Sequence, residues 1–407
     1  MTNNLVFAWR PYSDHGAVQG TRAWEKPDAH PMWFIIDKDG TRLPSFHSYA
    51  KSIKEIHSYH RRFDGLSIER VPTDVALYVS TDTGEYVSVE TGNKPWGSFW
   101  KRTTNNLIYL LRLNGITADY VDDETLPDAP GRFRTIIVSA SYILSQEAAG
   151  RLASFAKRGG TVILAGVSGM RDPWLNTQPN LGGPAWADLD WRAPDFKTDF
   201  AKVCFDEQLA LPGHEGATAA ERPGAYGGKI DGSVVESKTF RGVNIGEMRD
   251  AKPIKDTLGT TVGWSRPWGK GALIAYGIFP DTYVKNPHPS MNMTSWVRQL
   301  IRQGRLRFTA RWVSDAIDTG EGGLGTGAPV VEVVLRVKSP TEKFVFCLNQ
   351  GGPGDGVVEV PVGGNSWRAE GVVSGEDIGG GSVSEGIWRL PMHLEAWDYR
   401  IIRLVGR

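Results

Sequence analysis

Cysteine is nearly missing: the 407 residues contain two, Cys204 and Cys347. That excludes a disulfide framework of the small secreted kind and any four-cysteine zinc site. Two readings stay open, one disulfide between them or two buried free thiols, and the second is the expectation. Net charge is missing too. Forty-six basic and forty-six acidic residues cancel, so no excess of either sign points to nucleic acid or an anionic membrane as a partner. No apolar run approaches the ~18 residues of a membrane span. The start, "MTNNLVFAWR", lacks the basic region and small-residue cleavage site of a signal peptide. The chain therefore reads as intracellular, in the cytoplasm.

What is present is ordinary in bulk, 40% hydrophobic and 23% charged, and long enough for two or three domains. Tryptophan is abundant at fifteen residues, which suits aromatic sugar platforms and packed cores equally.

Three regions separate on pattern. The first, 1–71, opens with the apolar run "LVFAWR" and a long polar loop, followed by "PSFHSYAKSIKEIHSYHRRFDGL". Phe46, Tyr49, Ile53, Ile56 and Phe63 give that segment a helical stripe between Pro44 and Gly65. It reads as one βα unit. A lone βα unit cannot bury its own faces, and a buried strand needs a neighbour on each side.

In the second region, 72–305, strands alternate with helices. "DVALYVST", "TADYVDD", "FRTIIVSAS" and "TVILAGVSG" are strands. "SFWKRTTNNLIYLLRLNGI" is a helix stopped by Gly115, and "LSQEAAGRLASFAKRGG" a helix with Ser145 as N-cap. This is the α/β pattern of a parallel sheet with helices on both faces. A Gly-, Pro- and Trp-rich insertion covers about 170–230; a strand "SVVESKTF", a hairpin turning at Trp268–Gly271 and a helix "SMNMTSWVRQLIRQG" close the region. The third region, 306–407, consists of short strands split by Gly and Pro turns. It reads as a small antiparallel β-sandwich.

Candidate chemistry is sparse. "GEGGLG" at 320–325 matches a dinucleotide fingerprint in letters, but a strand follows it where a helix is required, so it reads as an interdomain turn. Ser168 in "GVSGM" falls where a nucleophile elbow would be, yet Met170 replaces the elbow's last glycine and "RDPW" breaks the helix that should follow. The region resembles the flavodoxin-like fold of class I glutamine amidotransferases. Their cysteine nucleophile has no counterpart at this elbow, so that chemistry is not expected. His57 and His60 supply two ligands, too few for a metal site. Asp122, Asp123 and Glu124 read as a solvated loop. No cofactor and no metal is expected.

The order of regions carries a more specific resemblance. "LRLNGITADYV", "RTIIVSASYILSQEAAGRLASFAKRGGTVILAG", "GKGALIAYGIFPD" and the ending "WDYRIIRL" look like the middle and C-terminal domains of glycoside hydrolase family 42 β-galactosidases. In that family the middle, amidotransferase-like domain forms trimers. "LVFAWRPYSDHGAVQG" is then similar to the eighth strand of a (β/α)₈ barrel with its loop. The helical segment after it resembles the last barrel helix. The resemblance implies that the strand's neighbours, and the family's two catalytic glutamates on the fourth and seventh strands, lie outside this chain.

It also implies a sugar-contacting role for Trp9 and Arg10, with Asp14, His15 and Gln19 the nearest polar groups on the same loop. Trp174 or Trp186 of the insertion could touch sugar across an oligomer interface. The implied protein is the C-terminal portion or companion subunit of a retaining glycosidase, inactive alone. Its expected partners are a carbohydrate substrate, copies of itself and a chain carrying the rest of the barrel. The alternative is a non-catalytic assembly or ligand-binding protein built on the α/β domain. The two differ over whether Leu5–Trp9 completes a barrel or pairs within this chain.

Overall fold

The computed structural model describes residues 69–91, 107–139, 141–165, 168–169, 171–176, 178, 185–186, 191–192, 228–230, 233–235, 247–255, 261–276, 297, 300–314, 329–364, 366–372, 378–379 and 381–406. The chain divides into two units, Met1–Ser67 and Ile68–Arg407. All described residues belong to the second.

The α/β part is a seven-stranded sheet. Its strands are β1 (Val75–Tyr78), β2 (Ala118–Val121), β3 (Thr135–Ser139), β4 (Thr161–Ala165), β5 (Lys252–Lys255), β6 (Thr261–Trp268) and β7 (Gly271–Tyr276). They lie in the order β5-β6-β7-β4-β3-β1-β2. The pairs β2·β1, β1·β3, β3·β4 and β4·β7 are parallel, and β7·β6 and β6·β5 antiparallel. The expected alternation of strand and helix, and the Trp268–Gly271 turn, are as read from sequence.

"VALY", "TIIVS" and "TVILA" are buried at every position, as strands covered on both faces must be. Alternate side chains feed two separate cores. Ala76, Tyr78, Ile136, Val138, Val162 and Leu164 point to one, shared with Leu152 and Phe155. Val75, Leu77, Ile137 and Ile163 point to the other, shared with Leu107, Leu110 and Leu300.

The helix over Gln146–Lys157 begins as expected. Ser145 caps it, its side chain accepting from the Ala148 N–H, with Glu147 in the first turn and Lys157 in the last. The helical segment 107–113 ends on Gly115 at φ +71°. There the Ile116 N–H reaches Leu111 O and the Gly115 N–H reaches Arg112 O, the paired bonds of a Schellman motif. A further helix, Thr81–Thr91, was not legible in the sequence. Most residues of "TDTGEYVSVET" are β-branched or small, one of them an internal glycine, so propensity and stripe are both weak. Local capping starts it instead: the Thr83 N–H donates to Ser80 Oγ at 3.1 Å.

The C-terminal part is the expected sandwich. Its strands are β8 (Arg311–Val313), β9 (Val331–Ser339), β10 (Glu342–Asn349), β11 (Gly354–Pro361), β12 (Trp367–Gly371), β13 (Ser382–Ser384), β14 (Ile387–Leu394) and β15 (Tyr399–Gly406). One sheet runs β9-β10-β15-β12 and the other β8-β11-β14-β13, all antiparallel. The short strand Glu69–Arg70 adds to the outer edge of β9. Both sheets feed one core around Trp312, Val345, Val358, Trp388 and Ile402, and Leu113 of the helical segment joins it. Gly356 is bare because the Trp312 ring occupies the space a Cβ would need, 2.2 Å away.

Candidate functional site: the carboxyl edge of the parallel sheet

The parallel strands run β2-β1-β3-β4-β7, a common doubly wound order whose direction reverses between β1 and β3. Ligands of such sheets bind at the carboxyl ends of the strands beside that reversal. Here the chain's own hydroxyls and carboxylates occupy the position.

Tyr78 ends β1 fully buried, and its hydroxyl donates to Asp123 Oδ1 at 2.6 Å. The Thr81 N–H, at the start of the first helix, donates to Asp123 Oδ2 at 3.2 Å. Burial, reinforced by the Asp123 carboxylate, holds the Tyr78 phenol protonated far above its ordinary range. Asp82 is raised as well, first by burial and then by repulsion from Asp123 and Glu85. Asp123 is thus more than a residue of a solvated loop: it fills the helix N-terminus that would otherwise attract an anion. Asp122 does fit the loop reading. Its Oδ1 accepts from Thr125 Oγ1 and the Glu124 and Thr125 N–H groups, and the hydrogen bond from Thr125 leads in lowering its pKa.

The Ser80, Thr83 and Ser168 hydroxyls at this edge are tied to backbone, whereas Ser139 Oγ, at the end of β3, is buried without a hydrogen-bond partner among the described residues. Ser80 Oγ and Thr83 Oγ1 donate to Ile143 O, and the Ile143 N–H returns a bond to Thr83 Oγ1. Ser168 is 2% exposed; its hydroxyl donates to Ala165 O at 2.9 Å and accepts from the Ser141 N–H at 3.2 Å. It staples the ends of β3 and β4 together. Among the described residues no base bonds it, and its hydroxyl is committed to backbone groups rather than to the base an activated nucleophile needs. Cys347 is a free, buried thiol in the sandwich, and burial pushes its pKa up to about 12. A thiol so placed is unreactive.

Beyond the staple, residues 171–176 form a compact loop. Arg171 bridges Ile143, and its Nε donates to Tyr142 Oη at 3.1 Å. Asp172 Oδ1 accepts from the Trp174 and Asn176 N–H groups at 2.9 and 2.8 Å, and Oδ2 from Asn176 Nδ2 at 2.9 Å. The Asn176 side-chain bond leads in lowering the Asp172 pKa. The loop holds Trp174 at 86% exposure beside Leu175 at 42%. The spacing Asp172-Pro173-Trp174-Leu175-Asn176 carries the signal for this loop: an Asx side chain bonding its own backbone two residues on.

Trp186 behaves differently. It is 0% exposed and stacks at 5.1 Å, tilted by 31°, on Trp268, so it cannot touch sugar and that expectation is corrected. Trp9, Arg10, Asp14, His15 and Gln19 lie outside the described residues, as do His57, His60, Cys204 and the glycine-rich stretch 320–325. Among the described residues no group of three metal-ligating side chains occurs, and no helix is long and apolar enough to cross a membrane.

Neither protein-family models nor curated proteins give a match to the sequence. Solved structures do. A GH42 β-galactosidase from G. stearothermophilus, Gan42B in a catalytic-mutant form, superposes with a TM-score of 0.56 at 14% identity, over 91% of this chain and 45% of that one. A β-galactosidase from Bacillus circulans sp. alkalophilus gives 0.55 at 16% identity, over 91% and 46%. The chain has the fold of these enzymes over about half their length. An α-L-fucosidase, isoenzyme 2 of Paenibacillus thiaminolyticus, is similar at a TM-score of 0.53 and 14% identity, over 90% and 53%. The fold is thus related to that of glycoside hydrolases, and the resemblance read from "RTIIVSASYILSQEAAGRLASFAKRGGTVILAG" agrees with it.

Proposed function

We propose that this chain is the C-terminal portion or companion subunit of a β-galactosidase-like glycoside hydrolase. The observation that carries the reading is the pair of coverages: nine-tenths of this chain aligns with less than half of a GH42 enzyme. In the complete enzyme hydrolysis is retaining, through one nucleophilic carboxylate and one acid/base carboxylate. Both lie outside this chain, on a partner or on a longer polypeptide. Residues 1–71 supply the last βα unit of the barrel, with Trp9, Arg10, Asp14, His15 and Gln19 on its sugar-facing loop. Residues 72–305 form the oligomerisation domain and 306–407 the sandwich. The assembly is a homo-oligomer, a trimer after the family's habit, acting in the cytoplasm.

Two features support an assembly role for the α/β part. Three hydroxyls of its carboxyl edge, those of Ser80, Thr83 and Ser168, are committed to backbone, and next to that edge stands a hydrogen-bonded loop with a bare Trp174. Exposed aromatics on rigid supports are common interface anchors. The same structural use of Ser80, Thr83 and Ser168 also favours the second reading, a non-catalytic assembly protein.

Native mass spectrometry of the protein from its own cells, followed by an aryl-glycoside panel on the species found, separates the two. A complex with a barrel-sized chain, or a longer polypeptide, that cleaves an aryl β-galactoside supports the glycosidase. A homo-oligomer of this chain alone, inactive on every glycoside, overturns it in favour of the scaffold.

A further inference from the structure

The opposite, amino edge of the parallel sheet holds a cleft of about 410 Å³. Asp74 precedes β1, while Thr135 and Thr161 begin β3 and β4; Arg134, Arg305 and Arg307 complete the polar wall. Backbone bonds fix the frame. Asp74 O accepts from the Arg134 and Thr135 N–H groups at 2.7 and 3.1 Å, and Thr135 Oγ1 donates to Arg305 O at 2.5 Å.

Two helices end here, with Gly159 at φ +118° and Gly304 at φ +68° after them. Each helix C-terminus presents roughly half a negative charge, and Asp74 adds one more. Three guanidiniums exceed that total by about one positive charge.

The donors are also incompletely used. The exposed Arg134 guanidinium has no ion-pair or hydrogen-bond partner among the described residues, and Arg307 Nε stands 3.8 Å from Asp74 Oδ2 with a 62% exposed side chain. Thr161, 6% exposed, accepts weakly from Arg305 Nη1 at 3.4 Å, which leaves its own proton to donate. A planar guanidinium fork beside a hydroxyl donor suits an oxyanion. The volume exceeds what a bare oxyanion fills and lies in the range of small-molecule clefts.

We propose that this amino-edge cleft binds a phosphoryl group, free or carried on a small molecule, through Arg134, Arg305, Arg307 and Thr161. The site is separate from the carboxyl edge and does not depend on the glycosidase reading.

The test is thermal unfolding of the full chain titrated with inorganic phosphate and with a hexose phosphate, ionic strength being held constant with chloride. A saturable rise in Tm is expected. Arg134→Ala should weaken the fitted dissociation constant about tenfold, as loss of a charged hydrogen bond does, and Arg134→Lys should recover part of it. Arg400→Ala, on the sandwich and paired to Asp398, should leave it unchanged. Tighter binding of the hexose phosphate makes the natural ligand a phosphorylated metabolite, and equal binding makes it phosphate itself. No saturable rise, or the same loss in Arg400→Ala as in Arg134→Ala, overturns the proposal.

Discussion

Replacing Gly115 with alanine should destabilise the protein far more than the same change at Gly304. The two glycines occupy equivalent places, each ending a helix in a Schellman motif, at φ +71° and +68°. An L-residue in that region costs about 1–2 kcal/mol. The loss of unfolded-state entropy from Gly→Ala is common to both and cancels in the comparison. What differs is the surroundings. A Cβ on Gly304 meets nothing within 4 Å, whereas one on Gly115 would fall 1.8 Å from Ala310 O and 2.6 Å from Ala310 C. Those are backbone atoms, so no side chain can swing aside.

The segment carrying Ala310 is also pinned, since the Thr309 N–H and Oγ1 both bond Gly115 O, at 2.8 and 3.0 Å. Relief must come from moving the start of the sandwich away from the sheet domain, an overpacking cost of about 1–3 kcal/mol. Gly115→Ala should therefore cost about 2–5 kcal/mol in total, and Gly304→Ala about 1–2 kcal/mol. Urea unfolding followed by tryptophan fluorescence suits the measurement, because Trp186 and Trp268 report the sheet domain and Trp312 and Trp388 the sandwich. Equal losses in the two variants would refute the claim that backbone approach at Gly115 joins the two parts.

Three further outcomes are expected. Trp186→Ala should cost about 3–5 kcal/mol, as removal of a buried indole does, while Trp174→Ala should change monomer stability by less than about 0.5 kcal/mol and lower the oligomer fraction in sedimentation velocity. Cys347, followed by mass spectrometry of its own peptide to separate it from Cys204, should be silent to a thiol reagent at neutral pH in the native protein and be labelled in denaturant, since burial pushes its pKa to about 12; native labelling at Cys347 would show that the sandwich opens. Glu359 sits between Arg311 at 2.8 Å and Arg389 at 2.9 Å. Burial raises its pKa, but the two arginines outweigh that and the net shift is downward. Its stabilisation is therefore present above the unfolded carboxylate value, about 4.3, and lost as pH falls through the lower folded value; Glu359→Gln should flatten the stability profile in that acid window.

The sequence determined the layered plan, because burial on both faces forces near-continuous apolar strands and these are visible as "VALY", "TIIVS" and "TVILA". It also fixed the ends of two helices through Ser145 and Gly115, whose capping chemistry is local. The sandwich was legible from Gly and Pro turns between alternating strands. Residues 1–71, with the sugar-facing candidates, remain at the level of resemblance. The helix over Thr81–Thr91 escaped the sequence because its propensity and apolar stripe are weak and, beyond the Ser80 cap, its support is non-local: Thr83 is held by Ile143, sixty residues away.

Only the tertiary structure separated the two tryptophans of the insertion, one in the core on Trp268 and one bare on an Asp172-braced loop. Composition cannot distinguish them, since burial depends on which neighbours the fold supplies. The carboxyl edge and the arginine cleft were invisible for the same reason. Asp123 meets Tyr78 across forty-five residues, and Arg305 meets Thr161 across one hundred and forty-four. Pairings at such separations arise when parallel strands align their ends, and no local pattern in the chain encodes them.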